Sequence, residues 1–322
     1  ISPKKDFYNH VNKKWTEAHP LSAEYSRYGQ FNILNDSSNN RVRRIVTGLA
    51  ATKPAPGTDA FKIATLYEAG MDSIRRNKLG AEPIKADLAK IENTTADGME
   101  DLFLWMHKNY GSPLVGAGPM EDLANSQVYA MYVTAPSLGL GDRDYYLLND
   151  KRNKDVRAAY TKLIEKDMQL AGYSKKDSKR IAANVLKIET LLADSTWTRE
   201  QSRNIPAMYN PRSFSQLKEQ YPAFPWDRFF IETMGIKAPE TLIVANPNTV
   251  LQGNKLMQSL SDREKKDLYL WEYVSAASPY LSDDFANASF EFQKVFSGVQ
   301  KQHPRWKKAL GTTEGIMGEG IG

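Results

Sequence analysis

Apolar residues recur at intervals of three and four along most of this chain, and this spacing is typical of amphipathic helices. Phe7, Val11 and Trp15 form one such stripe. Two longer stretches, 59–79 and 153–171, keep the spacing until they reach a glycine, the residue that most often follows a helix end. The periodicity therefore predicts a chain that is mainly helical.

Other segments carry explicit start signals for helices. Ser261 and Glu264 form a Ser-x-x-Glu capping box, in which each side chain satisfies a backbone N–H of the first turn, so we expect a helix to about Ala277. The remaining predicted helices cover 83–92, 97–109 and the stretch from Ser174 to about Leu192 or beyond.

Strand signals are confined to two places. β-Branched and aromatic residues in 113–118 and 127–134 flank a polar turn at 121–126, and this pattern predicts a hairpin. Leu242–Ala245 is a candidate third strand. The predicted fold class is therefore mainly α, a multi-helix lobe with one small β-hairpin.

Length and composition limit the class of protein. At roughly 100 to 200 residues per domain, 322 residues predict about two lobes. Apolar residues make up 41% and charged residues 25%, which is typical of an ordinary globular protein. The longest aliphatic run, Leu242–Ala245, is far shorter than the roughly 20 residues that span a bilayer, so we expect no transmembrane segment in this chain. Ile1–Asp6 contains no apolar run, so we expect any export signal to have been removed or left out.

Charge and cysteine content exclude further classes. The net charge is only +5, and the densest basic stretch, Arg41–Arg44, lacks the interleaved aromatic residues of a single-strand groove. We therefore expect no nucleic-acid partner. The chain has no cysteine, which excludes disulfides, thiolate zinc sites and a cysteine nucleophile.

The common catalytic motifs are missing as well. The four histidines include no pair at i and i+4, the spacing that brings two imidazoles onto one helix face for zinc. No Gly-x-Ser-x-Gly elbow and no phosphate-binding loop occur. We interpret His10 and His19 as exposed or hydrogen-bonded residues, and adjacent acids such as Asp283 and Asp284 as helix caps or solvated groups. We therefore expect neither a metal site nor a catalytic residue in this chain.

One cluster is different, because 6–15 (DFYNHVNKKW) and 26–31 (SRYGQF) combine many aromatic rings with an arginine. In one interpretation Arg27 is paired with a carboxylate or a carbonyl and the rings are core residues, namely Phe7, Trp15, Tyr28 and Phe31. In the other interpretation Arg27 is a binding residue. The residues alone leave both interpretations of Arg27 open.

Five motifs follow one another along the chain: DFYNHVNKKW at 6–15, SRYGQF at 26–31, LGLGDRDYYL at 138–147, Tyr209-Asn210, and Arg305-Trp306. In this order they resemble the amino-terminal half of the neprilysin family of zinc endopeptidases. Each motif is weak alone, but the five are collinear, they extend over nearly all of the chain, and LGLGDRDYYL is the most specific. The resemblance indicates the non-catalytic region of a bacterial, oligopeptidase-like member.

This resemblance implies a two-lobed, mostly helical peptidase that encloses a chamber and hydrolyses oligopeptides. Its zinc would be bound by a carboxy-terminal lobe that carries His-Glu-x-x-His and lies outside this sequence. We therefore expect this chain to hold no cofactor and to be inactive alone, as a fragment that restricts access to the active site. The LGLGDRDYYL motif is interpreted as structural, a turn followed by core rings.

By the same resemblance, Arg27 matches an arginine that binds the terminal carboxylate of short substrates, and Phe31 matches an aromatic residue near the side-chain pocket. The chemistry suits the role, because a guanidinium offers a planar fork of donors that matches a carboxylate. Asn32 and Asn35 stand where animal members have an acid and a basic residue, which weakens the expected preference for a terminal carboxylate.

The resemblance also implies a division of the chain. We expect residues 1–45 to pack with the absent catalytic lobe, 46–305 to form the helical substrate-gating lobe, and 306–322 to be a truncated connection. The expected partners are oligopeptide substrates and the carboxy-terminal lobe of the same protein. The half-cystines of animal members are missing, which points to a bacterial protein exported to the periplasm or the cell surface.

Two other functions stay open at this stage. The first is a non-enzymatic helical module that binds peptides or a partner protein. The second is a structural surface protein that uses its aromatic-rich face for assembly. The coding sequence beyond Gly322 distinguishes them from a peptidase, because only a peptidase requires a downstream His-Glu-x-x-His.

Overall fold

Helices dominate the structure, as the apolar spacing predicts. The computed structural model describes residues 1–111 and 114–322. One unit comprises Ile1–Lys78 and Gln293–Gly322, and the other comprises Leu79–Phe292. The division of the chain at 45 and 305 concerns packing against a further lobe, and it stays a prediction.

The described residues form fifteen α-helices. In chain order they are α1 (Phe7–Ala18), α2 (Gln30–Ala51), α3 (Asp59–Met71), α4 (Ser73–Leu79), α5 (Lys85–Asn93), α6 (Met99–Asn109), α7 (Asp144–Leu147), α8 (Lys151–Leu170), α9 (Lys175–Ser195), α10 (Phe214–Gln220), α11 (Trp226–Met234), α12 (Pro247–Ser259), α13 (Asp262–Ala277), α14 (Asp283–Phe296) and α15 (Arg305–Ile321). Short 3₁₀ turns lie at Glu82–Ile84, Ala96–Gly98, Gln201–Arg203, Ile205–Met208 and Ser278–Tyr280.

The first unit has a small core between α2, α3 and α15. Its buried apolar residues are Val46, Ile63, Tyr67, Ala309 and Leu310. The glycine-rich end of the chain belongs to α15, and its helical geometry is interrupted at Met317. Burial of the first half of α15 against this core explains why a stretch with so many glycines is helical.

The second unit contains the larger core, and aromatic rings fill much of it. One cluster of neighbouring rings consists of Phe103, Phe224, Trp226, Phe229 and Phe230. Most of these pairs meet edge to face or tilted, which is the arrangement that the ring quadrupoles favour. The indole N–H of Trp226 donates to the carbonyl of Tyr221 at 2.8 Å, so this buried ring leaves no donor without a partner.

A four-stranded sheet lies in the second unit. Its strands are β1 (Gly116–Asp122), β2 (Asn125–Thr134), β3 (Pro211–Ser213) and β4 (Thr241–Val244), in the order β1-β2-β4-β3. The hairpin of β1 and β2 is confirmed, with a tighter turn than the predicted 121–126, because the ladder continues to Asp122 opposite Asn125. The first residue of the predicted hairpin, Pro113, lies outside the described residues.

The third strand is confirmed as β4, which pairs parallel with β2 and antiparallel with β3. Strand β3 is not predicted from the sequence, because three residues are too few to show the alternation that marks a strand. The sheet is therefore larger than the single hairpin predicted, although the class remains mainly α.

One predicted helix is interrupted. The stretch 59–79 is divided at Asp72 into α3 and α4. Asp72 has a non-helical ψ of 78°, and its carboxylate accepts a hydrogen bond from the N–H of Arg75 at 2.9 Å. The aspartate thus caps the second helix, and short polar side chains are favoured at such positions. Within 1–111 and 114–322, no helix has the length and apolar character needed to cross a membrane.

Candidate functional site

The predicted binding residue Arg27 lies in the connection between α1 and α2, in the first unit. Its side chain is exposed. Within the described part of the chain, no carboxylate or carbonyl is paired with its guanidinium, so the interpretation of Arg27 as a paired structural residue is wrong. The full set of guanidinium donors is therefore free to bind an anion from solution.

The second predicted residue, Phe31, lies in the first turn of α2 and is 88% exposed. Phe7 is 69% exposed, so the interpretation of these two rings as core is also wrong. Asn32 has a structural task here, because its side-chain oxygen accepts a hydrogen bond from the N–H of Gly29 at 3.0 Å and so caps α2. The start of α2 therefore presents Phe31 four residues after Arg27.

A set of polar residues that the sequence analysis misses surrounds this connection. Lys307, at the start of α15, donates hydrogen bonds to the carboxylate of Asp36 at 2.8 Å and to the hydroxyl of Tyr25 at 2.9 Å. The Tyr25 hydroxyl in turn donates to Asp36 at 2.5 Å. We call Tyr25, Asp36 and Lys307 the clamp. The clamp cannot be recognised in the sequence, because Lys307 and Asp36 are 271 residues apart.

A second group ties the same connection to the segment before α15. The backbone N–H groups of Gln300 and Lys301 both donate to the carbonyl of Ala23 at 2.9 Å. The carboxylate of Glu24 lies 3.3 Å from Nδ1 of His303 and 3.8 Å from Nζ of Lys301. The two ends of the chain are thus joined within the first unit.

The electrostatics of the clamp follow from its partial burial. Burial of Asp36 works towards a higher pKa, but hydrogen bonds from Lys307 and Tyr25 outweigh it and hold the pKa of this carboxyl below its ordinary value. Burial of Lys307 works towards a lower pKa, and the hydrogen bonds to Asp36 and Tyr25 outweigh it and raise the pKa. Burial and the neighbouring Asp36 raise the pKa of Tyr25. The clamp is therefore a charged pair with a neutral tyrosine at neutral pH.

Large apolar side chains are exposed beside this connection in the sequence. Helix α1 has no buried residue at all. The exposed apolar residues of α1 and of the first turns of α2 are Phe7, Tyr8, Val11, Phe31 and Leu34. The apolar side chains of α1 are therefore not part of the core of this unit.

No zinc site is formed by these residues. Across 1–111 and 114–322, no three histidine, aspartate or glutamate side chains are arranged to hold a metal ion. His10 lies 2.8 Å from the carbonyl of Ile1, and His19 is stacked on Trp15 with ring centroids 4.6 Å apart, as expected for hydrogen-bonded surface histidines. His107 packs against aromatic rings, and burial lowers its pKa to about 3. The residues present do not fit zinc, so no chemical step of this chain is assigned to it.

The LGLGDRDYYL motif has a structural role. Tyr146 is buried, and its hydroxyl donates to the carboxylate of Glu189 at 2.8 Å. The hydroxyl of Tyr160 donates to the same carboxylate at 3.1 Å. A Cβ on Gly139 would lie 2.0 Å from the Tyr160 hydroxyl, so the motif needs glycine at this position for the loop to approach the buried carboxylate.

Comparison with known sequences identifies the family of this chain. The amino-terminal domain model of peptidase family M13 matches residues 3–322. Endothelin-converting enzyme 1 of Rattus norvegicus is 27% identical over 335 residues, and the match covers 100% of this chain and 43% of that enzyme. Neprilysin-3 of Drosophila melanogaster is 25% identical over 346 residues and is covered to 43%.

Solved structures of related proteins share the fold of this chain. The crystal structure of the Mycobacterium tuberculosis zinc metalloprotease Zmp1 in complex with an inhibitor superposes with a TM-score of 0.91 at 27% identity, covering 100% of this chain and 49% of that one. PepO from Lactobacillus rhamnosis, at 18% identity, shares the fold with a TM-score of 0.81 and is covered to 51%. The chain therefore spans about half the length of the relatives it matches. The chain belongs to peptidase family M13, a family of zinc metallopeptidases, and is its amino-terminal domain.

Proposed function

We propose that this chain is the substrate-gating and substrate-binding region of a zinc metalloendopeptidase that hydrolyses oligopeptides. In this proposal a carboxy-terminal lobe of the same protein supplies the zinc and its ligands. The observation that carries the binding role is the exposed guanidinium of Arg27, which has no partner in the described chain and precedes the exposed ring of Phe31. We also propose that the protein is exported, as the resemblance to bacterial members implies.

Docking of the catalytic lobe is supported by α1. This helix buries none of its own residues, while Phe7 and Val11 are 69% and 58% exposed. Covering these side chains would remove apolar surface from water, which contributes roughly 25 cal/mol per Å². The relatives are about twice as long as this chain, and their additional residues are available to cover the apolar side chains of α1. We therefore propose that residues 1–45 pack against the catalytic lobe, that 46–305 gate access, and that 306–322 lead towards that lobe.

The proposed role of Arg27 is to hold the carboxylate at the carboxy-terminal end of a short peptide. Two parallel N–H···O bonds from one guanidinium fix both the position and the plane of that carboxylate. Phe31 follows four residues later, in the first turn of α2, and supplies an apolar surface for the neighbouring substrate side chain. The binding energy of this contact is available for orienting the scissile bond in the catalytic lobe.

Substitution of Arg27 in the zinc-loaded full-length protein tests the proposal. A charge-assisted hydrogen bond contributes about 1.5 to 3 kcal/mol, so Arg27→Ala should lower kcat/KM about 10- to 150-fold for peptides with a free terminal carboxylate. Peptides amidated at that end should be cleaved almost as before. Arg41→Ala, at another exposed arginine of the same unit, is the matched control and should leave both substrates unchanged. Equal losses on both peptides would assign Arg27 a structural role instead.

A further inference from the structure

The connection that carries Arg27 has no regular secondary structure, yet it is fastened on both sides of that residue. Tyr25 precedes Arg27 by two residues, and Tyr28 follows it directly. The hydroxyls of both tyrosines donate to one carboxylate, that of Asp36, at 2.5 and 3.2 Å. Their rings lie edge to face with centroids 5.2 Å apart. Arg27 therefore projects from a short segment whose two ends are held by the same side chain.

The carboxylate that holds these tyrosines is itself fixed by Lys307. Nζ of Lys307 lies 2.8 Å from Asp36, and the two side chains are only 16% and 25% exposed. The ion pair of Lys62 with Asp59 in the same unit is very different, because its side chains are 56% and 67% exposed. A partly buried pair is screened less by water and salt than an exposed one, so the clamp holds its geometry better than a surface ion pair does.

We propose that Asp36, held by Lys307, is a positioning residue that fastens the backbone on both sides of Arg27 and fixes the direction in which its guanidinium is presented to a peptide carboxylate. This inference rests on the proposed function of Arg27. Asp36 and Lys307 do not touch the substrate in this arrangement. They act through Tyr25 and Tyr28.

The physical effect is pre-organisation. A connection that is already ordered does not lose backbone freedom when the peptide binds, whereas a loose one does, and that loss of freedom weakens binding. The loss on breaking the clamp should therefore appear as weaker binding of the terminal carboxylate. It should not appear in the chemical step, which depends on groups outside this unit.

The experiment compares Lys307→Met with Arg27→Ala in the zinc-loaded full-length protein. For a peptide with a free terminal carboxylate, Lys307→Met should raise KM about 3- to 10-fold and leave kcat within about twofold. For the amidated peptide both constants should stay unchanged. Lys307→Arg should restore part of the loss because it keeps the positive charge, and Lys62→Met, which removes the exposed ion pair, should change nothing.

The outcomes separate the two proposals. If Arg27→Ala fails to discriminate between the free and amidated peptides, the proposed function is wrong. If Arg27→Ala discriminates and Lys307→Met does not, or if Lys307→Met affects both peptides equally, the positioning role is wrong. In an Arg27→Ala background, Lys307→Met should cause no additional change in KM, since there is then no guanidinium to position.

Hydrogen exchange gives a second readout that needs no activity. The N–H of Tyr25 donates to the carbonyl of Ser22, and that of Gly29 donates to the side chain of Asn32. In Lys307→Met both amides should exchange about tenfold faster, while amides in the middle of α3 keep their wild-type rates. The double variant Tyr25→Phe/Tyr28→Phe removes only the two hydroxyls, and the same exchange measurement is made on it if Lys307→Met does not fold. Unchanged exchange at both amides in either variant would overturn the inference.

Discussion

At the scale of a single residue, Gly70 determines how closely two helices of the first unit approach. A Cβ at this position would lie 2.8 Å from the Cβ of Ala309, closer than two carbon atoms pack. Gly70 belongs to α3 and Ala309 to α15, and both helices contribute to the small core of this unit. The missing side chain therefore permits the contact that fixes α15 against α3.

Gly70→Ala should destabilise the chain, because the added methyl group meets a Cβ that can move only with its backbone. We expect a loss of about 1 to 2 kcal/mol in the free energy of unfolding, after the gain in helix propensity is included. Gly48→Ala is the matched control, since Gly48 is also helical but has nothing within 4 Å of an added Cβ. It should stabilise by about 0.5 to 1 kcal/mol. Urea unfolding of wild type, Gly70→Ala and Gly48→Ala measures both changes in the free energy of unfolding. A stabilising effect of Gly70→Ala would contradict the close contact between α3 and α15.

The residue scale also shows how much of the candidate site could be predicted from the sequence. The resemblance to the neprilysin family points to Arg27 and Phe31, and the structure finds both exposed, while their binding role stays a prediction. The clamp could not be predicted, because nothing local links Tyr25 or Asp36 to a lysine near the other end of the chain. The exposure of Phe7 could not be predicted either, since a stripe of apolar residues at helical spacing has the same appearance whether it faces a core or an absent partner.

At the scale of the element, α9 places the carboxyl group of Glu189 in the interior of the second unit, and α13 carries the half-buried Glu272. Glu189 of α9 is 3% exposed and accepts hydrogen bonds from Tyr146 and Tyr160. Burial raises its pKa to about 7 despite those bonds. Burial, together with the nearby Glu189, raises the pKa of Glu272 on α13 to about 8. The ordinary value for both groups is 4.5, so folding favours the protonated form.

This pair should make stability depend on pH. Between about pH 4.5 and pH 8 the unfolded chain loses the Glu272 proton while the folded chain keeps it, so the free energy of unfolding falls as pH rises through this window. Glu272→Gln removes the titrating group. The free energy of unfolding of this variant should equal that of wild type near pH 4.5 and should be larger by on the order of 2 kcal/mol at pH 8.5.

Denaturant unfolding at both pH values measures this difference. Glu219→Gln changes an exposed glutamate and serves as the control, which should leave the pH slope of wild type unchanged. The prediction concerns the difference between variant and wild type, because His107 contributes a pH dependence of the opposite sign. Its pKa is lowered by burial, so its contribution to stability is lost as pH falls from 6.5 towards 3. A Glu272→Gln difference that is the same at both pH values would contradict the raised pKa of this carboxyl.

Elements with local signals were predictable, and those that depend on distant contacts were not. The capping box of Ser261 and Glu264 begins α13 as predicted, with both of its hydrogen bonds present. The cap formed by Asp72 is equally local. The break between α3 and α4 was nevertheless not predicted, because the apolar spacing continues across Asp72. Strand β3 exists because it pairs with β4, and such a pairing leaves no periodic trace in three residues.

At the scale of the whole molecule, the account rests on what this chain has and what its relatives have in addition. Within residues 1–111 and 114–322, helix α1 buries none of its residues, Arg27 has no partner, and no group of side chains fits a metal. The matched relatives are about twice as long. The proposed arrangement, a lobe that gates and binds joined to one that carries zinc, would explain these observations together.

The most direct test of this division measures zinc and peptide hydrolysis on two preparations, residues 1–322 alone and the full-length protein. The account predicts no tightly bound zinc and no hydrolysis of oligopeptides for residues 1–322. For the full-length protein it predicts one zinc per chain and cleavage that stops when the metal is removed by a chelator. Stoichiometric zinc with hydrolysis in residues 1–322, or a full-length protein that binds peptides but neither holds zinc nor cleaves them, would contradict it.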